Sequence, residues 1–204
     1  MAATNSHSGS GDVGIWLTDD ERALLTAVMD HLIPGDDISP GAGEAGGAEY
    51  VDRLLGAFTF DPPRIFAGGP FAEHFDDWIE LGAIDELAWR IRIEGTLGHP
   101  EREFNGTAEG WQQTYRDGLA ALHPGFAALD GAARHAALDA RPALKALAFE
   151  HGCEALYGDP GYGGNRDGIG WAAIGFDGQT QPRGWTDVEV TTPHGPNPHG
   201  AHHG

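Results

Sequence analysis

A chain of 204 residues is long enough for one sizeable core plus tails, and its 32 glycines and 13 prolines stay below the roughly 25–30% share that marks low complexity. Asp and Glu total 31 against 12 Lys and Arg, a formal charge of -19 that repels polyphosphate and anionic headgroups and so excludes nucleic acid and membrane surfaces as partners. The single cysteine, Cys153, excludes an internal disulfide, a CxxC zinc site, a CxxCH haem attachment and a four-thiolate iron–sulfur cluster.

Residues 1–14, rich in Ser, Gly and Asn, read as a flexible N-terminal arm. They hold no basic n-region, twin arginine or apolar h-region, so the expected location is cytoplasmic; it is periplasmic if a leader was removed or a partner carries the address. No 18 apolar residues run together, which excludes direct membrane insertion. The TDDE at 18–21 is a capping box, and it opens a helix whose Leu24, Leu25, Val28 and Leu32 share one face until Pro34 stops it. After the glycine- and proline-rich loop PGDDISPGAGEAGG, a second amphipathic helix is predicted over 44–58 from Ala48, Val51, Leu54, Leu55 and Phe58. Residues 59–82 are aromatic but prolyl and aperiodic, an ordered excursion over the core. Ile84, Leu87, Ala88 and Ile91 give a third helix ended by Gly95 and Gly98. Trp111, Tyr115, Leu119 and Leu122 give a fourth, entered through the turn Asn105-Gly106-Thr107. A short Ala-rich helix over 130–139 follows. The sixth starts at Pro142 and carries Leu144, Leu147, Ala148 and Leu156 to Gly158. Only residues 188–192, VEVTT, offer a brief strand. The fold class is therefore all-α: an irregular multi-helix domain over 15–180 with long ordered loops and a Gly/aromatic-rich C-terminal extension. Residues 181–204 form a tail, His-rich at its end.

Most catalytic signatures are missing. GIGWAA at 168–173 satisfies GxGxxA, yet a helix and loop rather than a strand precede it, and too little chain follows for a βαβ unit. No GxxxxGK[ST], GxSxG, HExxH or Glu-x-x-His occurs, which removes P-loop, α/β-hydrolase, zincin and di-iron chemistry. Four histidines crowd PHGPNPHGAHHG at the C-terminus and could take up Zn, Ni or Cu, so a stand-alone metal-binding helical protein is the alternative function; a tail with adventitious affinity is the plainer reading. His74, His123, His135 and His151 stand singly and read as surface or core residues. Cys153 reads as a small hydrophobe in mid-helix, or else as an intermolecular disulfide or partner contact. The chain therefore offers no catalytic, cofactor-binding or metal-binding residues.

What remains is the glycine and aromatic pattern itself. Eight of the 21 residues at 158–178 are Gly, each costing about 0.5–1 kcal/mol relative to Ala when fixed in regular structure. Such a segment orders only if something holds it, and Tyr162, Trp171 and Phe176 are the anchors, either on the chain's own helices or on a second protein. Asn165 can close the adjacent turn.

The order LIPGDDISPGAGEAGGAEYVDRLL (32–55), YRDGLAAL (115–122), GDPGYGGN (158–165) and GWAAIGFDG (170–178) resembles the gluconate 2-dehydrogenase subunit 3 family, over roughly residues 18–180. The resemblance implies a non-catalytic, chaperone-like small subunit in a heteromer with a large FAD-dependent dehydrogenase subunit of the glucose-methanol-choline (GMC) type, which oxidises a sugar, glycoside or other alcohol. FAD and the catalytic histidines belong to that large subunit. The implied partner interface comprises Tyr162, Gly163, Gly164, Asn165, Trp171, Ile174 and Phe176. The twin-arginine leader common in the family is not seen in this sequence.

Overall fold

The computed structural model describes residues 15–60, 63, 65, 81–122 and 125–176. Among them all regular structure is helical: α1 (Asp19–Leu32), α2 (Gly47–Leu55), α3 (Ala83–Glu94), α4 (Trp111–Ala121), α5 (Gly131–Asp139), α6 (Pro142–Tyr157) and α7 (Ile169–Ile174), joined by short 3₁₀ turns. The N-terminal arm, most of the 59–82 excursion, the VEVTT segment, His74, His123 and the His-rich tail lie outside the described residues.

The helices start where side chains can satisfy their free amides. Thr18 Oγ1 accepts from Glu21 N at 3.3 Å and Glu21 Oε2 accepts from Thr18 N at 2.9 Å, completing the capping box of α1. Asp130 caps α5 by accepting from Ala133 N at 2.8 Å. Pro142 opens α6 at a position that needs no amide.

α6 is the hub. It is apolar around most of its circumference and packs against α1, α2, α4, α5 and α7. Its Leu144, Leu147, Ala148 and Ala155 join Leu25, Val28 and Met29 of α1, Val51, Leu54 and Leu55 of α2, and Tyr115 and Leu119 of α4 in one core, and Leu156 is buried as well. Ahead of α1, the chain is pinned by a buried carboxylate. Asp52, 2% exposed, accepts from the amides of Ile15, Trp16 and Leu17 at 2.8, 2.7 and 2.6 Å.

Two predicted elements differ. α2 runs over Gly47–Leu55 rather than 44–58, because Gly46 takes φ +98°, a left-handed conformation that no helix interior contains, and residues 41–46 close as a tight turn. On α3 the buried residue is Ile93, while Ile84 is 83% exposed. α3 meets α4 through Trp89, edge to face with Trp111 at 6.2 Å, which rotates the predicted Ile84 and Ala88 face outward.

Candidate functional site

Two of the sequence blocks that carry the family resemblance, 32–55 and 158–165, meet in space along a seam of glycines. A Cβ on Gly46 would stand 2.7 Å from the Gly163 carbonyl, and one on Gly163 would stand 2.9 Å from Arg53 Cδ. Only hydrogen fits on either side, and both residues take positive φ. Hydrogen bonds stitch the seam: Arg166 N donates to Ala45 O at 3.0 Å, and Arg53 Nη1 donates to Gly161 O at 3.3 Å. Arg53 also pairs with Glu49 at 2.5 Å, and Arg166 reaches the same carboxylate at 3.6 Å.

Asn165 is the knot of this segment. It is fully buried at φ +43°, its Nδ2 donates to Gly158 O and its Oδ1 accepts from Gly170 N, both at 2.8 Å. Gly170 lies so close to α6 that a Cβ would stand 1.9 Å from Leu156 O. The GxGxxA glycines are thus occupied by the chain's own α6 and Asn165: the Gly170 amide is spent, a 3₁₀ turn precedes α7, and the fit to a dinucleotide pyrophosphate fails.

The seven candidate interface residues divide into two groups. Gly163, Gly164 and Asn165 are buried inside the fold, and Tyr162 packs half-buried against the core. Trp171 is half-buried, its Nε1 donating to Tyr157 O at 2.7 Å, and its ring meets Phe176 edge to face at 5.1 Å. Ile174 and Phe176 face outward at 59% and 42% exposure. The segment does not lie flat: it coils as the 3₁₀ turns Pro160–Tyr162 and Arg166–Gly168 followed by α7, a helix too short for its period to show in the sequence.

Other outward apolar side chains escaped the sequence reading. Phe149 and Tyr157 of α6 are exposed, with Cys153 half-buried between them on the same four-residue stripe. That stripe was the available signal, masked because most faces of α6 read as apolar. Burial pushes the Cys153 thiol pKa up, with the Glu154 carboxylate adding to it, so the sulfur stays a thiol.

The same helix carries a polar cluster that runs from the core out to the surface at Glu154. His151 is 0% exposed, with its Nδ1 3.0 Å from the Tyr115 hydroxyl, and Trp111 stands edge to face against it at 4.7 Å. Its Nε2 makes no hydrogen bond. Burial holds the imidazole pKa down at about 4. Tyr50 donates to Glu154 at 2.8 Å, and burial raises the pKa of both groups. A base sealed from solvent meets no substrate, so His151 and its Tyr115 partner are core structure, while Glu154 stands exposed at their edge. Among the described residues no group of three or more His, Cys, Asp or Glu converges to hold a metal, and no helix is long and apolar enough to cross a membrane.

Fold and site together define a small all-helical protein, locked by a glycine seam and turning apolar rings outward beside it. A family described as gluconate 2-dehydrogenase subunit 3 matches residues 19–178, and the chain belongs to that family. Comparison with curated proteins and with solved structures gave no match.

Proposed function

We propose that this chain is the non-catalytic small subunit that binds, folds and stabilises a large FAD-dependent dehydrogenase subunit of the GMC type, which oxidises a sugar, glycoside or other alcohol. The observation that carries the proposal is the family match, which spans both halves of the seam. FAD held by the large subunit supplies the two-electron oxidation. The residues of this chain contribute shape: Asn165 ties α7 to the end of α6, Gly164 seats the segment on α6 and Gly163 on α2, Tyr162 packs on the core, and Trp171, Ile174 and Phe176 present the apolar contact. Apolar side chains held outward on an ordered scaffold favour association, because little conformational entropy is left to lose.

The test is co-expression with the flavin-binding chain of the neighbouring reading frame. That large chain is expected to give little soluble, flavin-loaded protein alone and much more with this chain. The double substitution Ile174→Ser with Phe176→Ser is expected to lower co-purification at least tenfold while its own circular dichroism and melting temperature stay unchanged. Equal yield of loaded large chain with and without this protein would overturn the proposal.

A further inference from the structure

Residues 95–110, between α3 and α4, form a closed loop whose burial is inverted. Its neck is pinched where Gly95 and Gly110 touch: a Cβ on Gly110 would stand 2.3 Å from Gly95 N. Thr96, 2% exposed, latches the neck by donating its amide to Ala108 O at 3.0 Å and accepting from Ala108 N on Oγ1 at 2.7 Å. Arg102, 9% exposed, runs beneath the loop to the Glu94 carboxylate at 2.7 Å and the Gly95 carbonyl at 3.4 Å. Compact loops with apposed ends are commonly packed by their own side chains. Here an arginine and a threonine fill the inside, and the two large apolar residues are outside: Leu97 is 78% exposed and Phe104 67%. The usual sorting of side chains by polarity would place them the other way round.

We propose that this loop is a preformed docking knob, with Leu97 and Phe104 as apolar anchors that enter a basic-rimmed hollow on the large dehydrogenase subunit. The proposal rests on the reading of the chain as a dehydrogenase small subunit and adds a second contact outside the α6–α7 end. Charge selects the occupant. Glu101, Glu103 and Glu109 belong to the same loop, and the whole chain carries -19. A second copy would bring the same acidic rim and the same net charge, and an anionic lipid surface would be repelled likewise. A protein hollow edged by Lys and Arg complements both the anchors and the rim. Two side chains fall short of the roughly 800 Å² per partner of a stable interface, so the knob acts within a larger contact. Its rigidity suits it to be an energetic centre, since neck, latch and arginine strut order it before binding.

The experiment measures binding of the purified full chain to the purified flavin-binding chain of the neighbouring reading frame. Leu97→Ser with Phe104→Ser is expected to weaken binding by about 100-fold, in the range of a central hot spot. The charge-reversed Glu103→Lys, which leaves the Glu101–Arg102 pair in place, is expected to slow association and flatten its dependence on salt. If the double serine variant melts lower than wild type, the charge-reversed variant decides. Binding within about twofold of wild type by the serine variant, or by the charge-reversed variant where it decides, overturns the knob and leaves the subunit reading intact. Failure of the wild-type chain to bind at all overturns the subunit reading and the knob with it. A wild-type dimer in sedimentation that the serine variant abolishes assigns the loop to a second copy and also overturns the knob.

Discussion

Asn165 shows how much one side chain can hold in place. It bridges the end of α6 to the start of α7 while adopting a left-handed backbone that asparagine tolerates better than most residues. Asn165→Ala strands the buried Gly170 amide and frees the half-buried Gly158 carbonyl to water, and a loss of about 1–3 kcal/mol is expected in denaturant unfolding. Asp52→Ala strands the three amides of Ile15, Trp16 and Leu17, and faster proteolysis ahead of α1 is expected to accompany a comparable loss. His151 sets an acid limit. Its folded pKa of about 4 lies below the ordinary 6.5, so as pH falls the unfolded chain takes the proton first. Its neutral form thus supports full stability above about pH 6.5, and up to about 3 kcal/mol is lost as pH falls toward 4. Glu154, raised by burial, acts in the opposite sense, so comparing His151→Gln with wild type across that window isolates the histidine. The sequence marked Asn165 as a turn closer and left His151 as a surface or core residue. Neither the double hydrogen bond nor the 0% exposure was legible, because the first depends on an aperiodic turn that brings Gly158 and Gly170 to one side chain and the second on distant elements packing round it.

At the scale of elements, caps and periodicity carried well. The capping box of α1, the Asp130 start of α5 and the Pro142 start of α6 are local chemistry, and the core positions of α4 and α6 follow from a 3.6-residue repeat. α7 was missed because six residues show less than two turns of period, and its order comes from Gly170 nesting on the Leu156 carbonyl. Gly170→Ala is expected to lift α7 from α6, seen as loss of hydrogen-exchange protection over 165–175 with α1 to α6 protected as before. The face of α3 was misassigned for a related reason: Ile84, Leu87, Ala88 and Ile91 form a valid stripe, but the neighbour that buries a stripe belongs to another element, here Trp111 of α4 through Trp89.

For the whole molecule, charge governs approach and the seam governs shape. With -19 on 204 residues, association with a basic-rimmed companion is expected to be electrostatically steered, the on-rate falling steeply as salt rises while the off-rate changes little. A rate flat across ionic strength would place the recognition in apolar contact alone. The helical class was settled by the sequence itself, because caps, apolar period and turn residues are interactions within a few residues of one another. So was the family resemblance, since its blocks are contiguous words. Their contact was not: Arg166 reaches Glu44 across 122 positions, and no periodicity reports which distant backbone a glycine lets near. Only the tertiary structure decided that Gly163 and Asn165 turn inward, that Ile174, Phe176, Leu97 and Phe104 turn outward, and that an arginine fills the loop at 95–110, because facing in or out is set by all the elements packing at once.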